Sequence, residues 1–327
     1  MRCSRRDVLC SLAGAAVASA TFGRSFAKDG NTSMPIIDTH QHLWNLSRFT
    51  LPWQAGAPDI LKQNYGFREY RAATAGLDVK TVYMEVDVAP NQKYDEARFV
   101  LGESARPDDS GMLGAVVGGD PSRPGFEAYI RSLGQTPALK GVRQVIHNPE
   151  IPPGYCLSDE FVRGVSFLGD RGLSFDLCMR PGELSDGRKL AERCWHTKFI
   201  VDHCGNADPK SFMENPPASD EPLHDADQWR RDMEGLAKCD NTLCKISGIM
   251  ARAPEGWTAE HLAPIVNHCL DTFGPDRVVF GGDWPVCLLG GELRQWVDAL
   301  AAIIAERSEE EQRKLWSENA IREYRLG

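Results

Sequence analysis

Two histidines at the end of a short apolar run are the first residues whose types and spacing could carry chemistry. Ile36, Ile37 and Asp38 form the run, and His40 and His42 follow it two residues apart. Residues two apart in a β-strand point to the same face, so a strand here would bring both imidazoles to one place. Such a pair suits a divalent metal or two groups that transfer protons. A polar loop can carry the same spacing without any function, so the pair alone does not decide.

Two further candidates stand where other apolar runs end. His203 follows the run Phe199–Asp202, and Asp283 follows the run Val278–Phe280 across two glycines. A carboxylate beside imidazoles can take a proton from water, which is the chemistry of many hydrolases. With the histidine pair, these two residues are the strongest candidates, because each directly ends a predicted strand. Weaker candidates stand at the ends of other runs: Glu85, Asp87, Arg143, His147, Arg180 and Lys245.

The weaker candidates also have structural interpretations. Asp202 suits a cap or a brace better than a reacting group, and Lys245 could simply pair with a neighbouring carboxylate inside the fold. His147 and Glu85 could point either toward a site or into the packing. The sequence leaves these alternatives open.

The elements that must position these groups form a regular alternation. From residue 35 onward, short runs that are apolar on both faces alternate with amphipathic stretches, as in parallel sheets covered by helices. The eight predicted strands are Ile36–Thr39, Thr81–Val86, Leu113–Val117, Gly141–Ile146, Ser174–Met179, Phe199–Asp202, Leu243–Ile246 and Val278–Phe280. Eight such units predict a single (β/α)8 TIM barrel, closed by a last helix from Ser308 to Arg325. A doubly wound sheet is disfavoured because neither phosphate loop, GxGxxG or GxxxxGK(S/T), occurs in the sequence.

The barrel prediction brings the candidate residues together. Active sites of such barrels lie at the C-terminal ends of the strands, where the candidates stand. Two connections on that side are long, over residues 45–66 and 205–226. We expect these loops to build a substrate pocket or a lid.

Composition narrows the choice of partners. The chain has 327 residues, of which 42% are hydrophobic and 25% charged, and its formal net charge is -9. Because the chain has no basic run, nucleic acid is not expected to bind. None of the ten cysteines forms a CxxC pair, which argues against a zinc ribbon, and their pairing into disulfides cannot be read from sequence. The oligomeric state is also left open.

The first 27 residues have the three parts of an export signal. Arg5 and Arg6 precede an apolar run rich in alanine, and Ala27 ends a plausible cleavage site. The run is too short for a stable membrane anchor. We therefore predict a twin-arginine-type signal over residues 1–27, a linker over 28–34 and the barrel over 35–327. The mature protein is predicted to be periplasmic or secreted.

Several segments resemble the amidohydrolase superfamily. The resemblance is strongest to its lactonase branch, which includes L-fuconolactonase, L-rhamnono-lactonase and 2-pyrone-4,6-dicarboxylate lactonase. It spans nearly the whole chain after the signal, and the segment 273–286 is its most specific part. The segments that carry it are residues 37–44, 141–143, 175–181, 201–205, 244–248, 273–286 and 318–320.

The resemblance implies a metal-dependent type of barrel hydrolase that opens a small-molecule lactone. It implies Asp283 as the general base, and His40, His42 and His203 as groups that hold a divalent metal together with Asp283 or polarise the carbonyl. Zinc is the first candidate for this metal. The residues expected around the substrate are Arg143, Arg180, His147, Glu85, Trp44 and Trp284.

The chain also departs from the metal-rich members of the superfamily. These carry a carboxylated lysine on the fourth strand and a histidine on the fifth, whereas this chain has Arg143 and Gln144 on the fourth and no histidine on the fifth. One ion, or none, is therefore expected rather than two. Two other functions stay open: zinc-dependent decarboxylation of an aromatic acid on the same fold, and sugar-acid binding without catalysis.

Overall fold

The computed structural model of the protein describes residues 34–216 and 222–326. The predicted export signal and nearly all of the predicted linker lie outside these residues, so both stay predictions. No helix within the described residues is long and apolar enough to cross a membrane. The eight cysteines of the described part all carry free thiols.

Eight parallel strands form one sheet in the order of the chain, which confirms the predicted (β/α)8 barrel. Each strand pairs with the next one along the sequence, as a right-handed series of β/α units requires. The strands are β1 Ile36–Gln41, β2 Val79–Met84, β3 Met112–Gly118, β4 Leu139–Val145, β5 Ser174–Cys178, β6 Lys198–Val201, β7 Thr242–Ile246 and β8 Val278–Phe280.

The first and last strands meet at the C-terminal end of the barrel. The Thr39 hydroxyl donates to the Phe280 carbonyl oxygen at 2.6 Å, and the His42 amide donates to the Trp284 carbonyl oxygen at 2.8 Å. Asp38 strengthens this junction, because its Oδ1 accepts from the amide of Gly282 at 2.7 Å. The loop that carries Asp283 is thus fixed against the strand that carries the histidine pair.

The helices cover the outside of the barrel. The Ser158 hydroxyl accepts from the Phe161 amide at 3.3 Å and caps α5. The helices are α1 Phe67–Ala73, α2 Lys93–Ser104, α3 Pro107–Ser110, α4 Phe126–Ser132, α5 Asp159–Asp170, α6 Leu184–Arg193, α7 His203–Asn206, α8 Ala226–Ala237, α9 Ala259–Phe273, α10 Leu293–Ile303, α11 Glu309–Arg313 and α12 Asn319–Glu323.

The predicted last helix is interrupted. A π-helical turn over Lys314–Glu318 separates α11 from α12. The wider turn lets Trp316 pack into the core while the Asn319 side chain donates to the Val278 carbonyl oxygen at 2.8 Å. The predicted last helix is therefore present over Glu309–Glu323, with a π-helical turn at its centre that changes the residue spacing where the helix packs against β8.

Part of the barrel interior is filled by apolar side chains. A separate cluster of buried residues draws one or two members from each of six strands and is completed by two residues of the C-terminal segment. Its members are Ile37, Val82, Met84, Val116, Ile200, Leu243, Val279, Ala320 and Tyr324.

Candidate active site

Four of the predicted site residues meet at the C-terminal end of the barrel. Oδ1 of Asp283 lies 3.4 Å from Nε2 of His42 and 3.7 Å from Nε2 of His40. The imidazole ring of His203 has its centre 4.4 Å from that of His40. The four residues come from three places in the sequence: His40 at the end of β1 with His42 just after it, His203 after β6 and Asp283 after β8. The barrel therefore assembles one cluster from three separate segments.

The backbone at two of these residues is unusual. His203 and Asp283 both have a φ of 54°, in the left-handed region that residues with a side chain seldom adopt. Such conformations cost on the order of 1–3 kcal/mol and persist where the surrounding structure holds them, often at functional sites. Here they turn both side chains from the strand ends toward the centre of the barrel.

Gly248 is needed because the His203 ring lies against it. A β-carbon at Gly248 would stand 2.2 Å from Nδ1 of His203, and the φ of this glycine is 70°. The same nitrogen lies 2.9 Å from the Ser247 hydroxyl, which orients the ring. Any side chain at position 248 must therefore displace the imidazole.

We expect Gly248→Ala to lower kcat/KM about 100-fold, the effect of displacing a catalytic group by roughly 1 Å. Gly256→Ala is the matched control, because Gly256 has a similar φ of 74° but no atom within 4 Å of its added β-carbon. Steady-state kinetics of both folded variants measure the difference. Equal activities would show that the position of the His203 ring does not matter.

The hydrogen bonds of His42 determine which nitrogen faces the cluster. Its Nδ1 lies 3.0 Å from the carbonyl oxygen of Met84, which only accepts, so Nδ1 carries the proton and donates it. In the neutral ring, Nε2 then presents a lone pair to Asp283. Two acceptors face each other at 3.4 Å, and a shared proton or a cation between them would satisfy both.

His40 and His203 are neutral imidazoles in this environment. Burial lowers the pKa of His40 well below its ordinary value, and the charge of Lys245 lowers it further. Burial also lowers the pKa of His203. Nε2 of His40 accepts from the Arg143 guanidinium at 3.2 Å, and its Nδ1 faces Asp202 at 3.6 Å. Neutral rings can serve as metal ligands or as proton acceptors.

Asp283 is an ionised carboxylate near neutral pH. Burial opposes its ionisation, but the neighbouring His203 and His42 and the charge of Arg143 outweigh that effect and lower the pKa of Asp283 below its ordinary value. The side chain is almost completely buried, with 5% of its surface exposed. A desolvated carboxylate that is held charged at the base of a cavity can accept a proton from water.

Arg143 reaches the site with Glu85 behind it. Its Nε donates to the Glu85 carboxylate at 2.7 Å, and a second nitrogen donates to the Glu85 carbonyl oxygen, also at 2.7 Å. Arg143 lines the cavity, whereas Glu85 is fully buried and outside the cavity lining. Glu85, expected near the substrate, thus orients the guanidinium from outside the cavity lining.

A buried ion cluster supports the site from below. Nζ of Lys245 lies 2.7 Å from Asp176 and 3.0 Å from Asp202, and all three side chains are fully buried. Burial opposes the ionisation of Asp202, but the charge of Lys245 and the contact with His40 lower its pKa well below the ordinary value. The predicted structural roles of Lys245 and Asp202 fit this arrangement, which places a charge beside His40.

A cavity of about 520 Å³ opens above the cluster. The long loop over residues 45–66 forms one wall with Trp53 and Leu61, and Trp44 stands beside it, while Asn206 comes from the other long loop. His147 also lines the cavity, and burial lowers its pKa to about 3, so its ring is neutral. The apolar wall and the few polar groups are typical of a small-molecule site.

Two predicted substrate contacts lie elsewhere. Arg180 donates to the carbonyl oxygens of Asn148 and Ile151 at 2.8 and 2.9 Å and pairs with Glu183, outside the cavity lining. Trp284 is buried against Tyr65 and Tyr70, with ring centres 5.1 and 5.3 Å away. Their backbone positions are near the site, but their side chains turn into the surrounding packing.

Arg252 is a cavity residue that the sequence reasoning missed. It lies in the short helix after β7 and donates to the carbonyl oxygen of Asn206 at 2.6 Å. Burial lowers its pKa, because desolvation outweighs the attraction of the surrounding groups. No strand end marks this residue, and its only sequence signal is its position six residues after the last residue of β7.

A comparison with known proteins identifies the family. The model of the amidohydrolase family matches residues 37–326. The chain belongs to the amidohydrolase family. It is therefore an enzyme, a hydrolase, and the resemblance seen in the sequence is confirmed.

Relatives of this amidohydrolase are named as lactonases. It is 26% identical to the L-fucono-1,5-lactonase of Burkholderia multivorans, over 89% of this chain and 96% of the relative. It is 24% identical to the L-rhamnono-gamma-lactonase of Scheffersomyces stipitis, over 89% of this chain and 98% of the relative. A crystal structure of a Burkholderia multivorans amidohydrolase with bound zinc has the same fold, with a TM-score of 0.78, 23% identity and coverage of 90% of this chain and 100% of that one.

The donor set of this amidohydrolase fits one divalent ion. Ligand atoms of His40, His42 and Asp283 lie within 4.8 Å of one another, and the lone pair of His42 already faces the carboxylate. Imidazole nitrogens and a carboxylate are ligands that zinc prefers. Because the guanidinium of Arg143 occupies the neighbouring side of His40, the described residues suit one ion rather than two.

Proposed function

We propose that the protein hydrolyses a lactone at the cavity above β1, β6 and β8. The observation that carries this proposal is the buried, ionised Asp283 facing the imidazoles of His42 and His40 at the base of that cavity. The names of the lactonase relatives support the reaction class. The Asp283 carboxylate can activate a water molecule, and the cavity has the size of a small-molecule substrate.

In the proposed mechanism, Asp283 accepts a proton from a water molecule that attacks the lactone carbonyl carbon. The guanidinium of Arg143, fixed by Glu85, offers positive charge to the oxygen on which negative charge develops. The bond between the carbonyl carbon and the ring oxygen then breaks. Asp283 returns its proton to that oxygen, so the products are a carboxylic acid and a free hydroxyl group.

One divalent ion, with zinc as the first candidate, would be held by His40, His42, His203 and Asp283, where it would polarise the carbonyl and acidify the attacking water. We expect metal analysis of freshly purified protein to find about one zinc per chain. Full activity in protein that contains no metal would contradict this part of the proposal and leave Arg143 and the imidazoles as the polarising groups.

We further propose that the substrate carries a carboxylate besides the lactone. Arg252 supports this class, because its buried guanidinium is bonded to a neutral carbonyl oxygen and retains donors for an anion. An anionic group in the cavity would offset the cost of burying this charge. Asn148 lies on the same cavity lining and can add a hydrogen bond.

We expect Arg252→Met to lower kcat/KM for a carboxylated lactone by about 10–100-fold, the effect of losing one or two hydrogen bonds to a charged group. Hydrolysis of a neutral sugar lactone should change little. Arg180→Met is the matched control, because Arg180 lies outside the cavity lining. An equal loss for both lactone classes would rule out a selective role in binding the carboxylate.

The function is tested by a substrate panel with the purified protein. Neutral aldonolactones and carboxylated lactones are followed by acid release, and hydroxylated aromatic acids are followed by release of CO2. The proposal predicts acid release that depends on enzyme concentration. Decarboxylation without lactone hydrolysis would instead support the alternative activity, and binding without turnover would support a non-catalytic role.

We also propose that the protein is exported. The arginine pair and the apolar run near the N-terminus are the support for this proposal. Fractionation of producing cells with and without residues 1–27 tests it, with the full chain expected in the periplasm or the medium.

A further inference from the structure

Three cysteines outside the candidate active site lie close together. Cys204 follows β6, Cys244 lies on β7 and Cys269 lies on α9. Their sulfur atoms are within 4.8 Å of one another, and all three residues are fully buried. None of them lines the cavity of the active site. The barrel and its outer helix thus enclose a set of three thiols drawn from three elements.

The spacing of the sulfurs matches trigonal coordination. Three sulfurs that surround an ion at the usual bond length of about 2.3 Å stand about 4 Å apart. In the structure the sulfur atoms lie at most 4.8 Å apart. Each sulfur–sulfur distance therefore has to shorten by less than about 1 Å for all three sulfurs to bond to one ion. Rotation about the side-chain bonds can supply a movement of this size.

The surroundings favour a soft monovalent ion over zinc. Structural zinc is almost always four-coordinate, and in the described part of the chain no fourth histidine, cysteine, aspartate or glutamate joins the three thiols. Thiolates prefer soft ions such as Cu(I).

We propose that Cys204, Cys244 and Cys269 form a binding site for a single Cu(I) ion. Each thiol loses its proton to solvent as its sulfur bonds to the ion as a thiolate, so binding releases protons. No electron is transferred, because copper enters as Cu(I) and the cysteines stay reduced.

The test is a titration of the full chain with Cu(I) under anaerobic conditions, after reduction with a phosphine and against a chromogenic Cu(I) chelator as competitor. Because the thiols are buried, the ion is supplied both to folded protein and during refolding. We expect one Cu(I) per chain, only sulfur ligands by X-ray absorption, and a higher midpoint of thermal unfolding.

Matched variants test whether Cu(I) binds to these three thiols. Mutation of a residue that only orients a metal ligand lowers the metal affinity by about 10–100-fold. Cys269→Ala removes a ligand itself, so we expect it to weaken Cu(I) binding at least about 100-fold. Cys244→Ala should do the same and serves if the first variant does not fold. Cys194→Ala, which removes another buried cysteine, should bind like the unmodified protein.

Three results would overturn the proposal. Equal binding by all variants would place the copper elsewhere. No binding by either loading route would mean that the thiols only pack as small apolar groups. A disulfide between two of the three cysteines that survives reduction, detected by mass spectrometry, would remove the site.

Discussion

Asp283→Asn is expected to lower kcat/KM by about 10³–10⁴-fold, the upper part of the range for a lost general base. The amide has nearly the same shape as the carboxylate but cannot accept a proton from water at neutral pH. It also loses the negative charge that faces His42 and His40 at 3.4 and 3.7 Å. Steady-state kinetics of the folded variant, checked by circular dichroism, give the measurement.

Asp87→Asn is the matched control for this result. Asp87 also lines the cavity, but its carboxylate pairs with Lys93 at 3.3 Å, and it does not belong to the histidine cluster. We expect this variant to lose less than about tenfold, since it removes a charge without removing the base. A loss of less than tenfold for Asp283→Asn would contradict the role assigned to Asp283.

Lys245→Met is expected to lower the free energy of unfolding by about 3–5 kcal/mol. The methionine leaves Asp176 and Asp202 buried without the cation that lies 2.7 and 3.0 Å from them. The penalty comes mainly from these uncompensated carboxylates rather than from loss of an attraction. Urea unfolding with linear extrapolation measures the change.

Lys62→Met is the control for an exposed pair. Lys62 contacts Asp59 at 3.1 Å, but 98% of the Asp59 side chain is exposed, so we expect a change of less than about 1 kcal/mol. Adding Asp176→Asn to Lys245→Met should recover part of the lost stability, because one of the two unpaired charges disappears. A loss below 1 kcal/mol in Lys245→Met would show that water reaches these carboxylates.

The sequence predicts the barrel and the place of the histidine–aspartate cluster for a physical reason. Strands buried on both faces are short apolar runs, so their C-terminal ends are visible in the sequence, and the barrel brings those ends together. His40, His42, His203 and Asp283 stand directly at such ends. Their proximity in the structure therefore follows from topology.

The residues around the cluster depend on the direction of each side chain, which sequence position does not determine. Glu85 turns behind Arg143, and Arg180 turns toward the loop carbonyls of its neighbours. Arg252 reaches the cavity from a short helix, where no apolar run marks its place. These orientations are set by tertiary hydrogen bonds that only the assembled barrel provides.

The most direct test of the account is hydrolysis of carboxylated and neutral lactones in water labelled with ¹⁸O, followed by mass spectrometry of the products. Attack of water on the carbonyl carbon predicts one heavy oxygen in the new carboxylate and none in the released hydroxyl, at a rate that depends on enzyme and collapses in Asp283→Asn. Label in the hydroxyl group, or turnover that survives in Asp283→Asn, would contradict it.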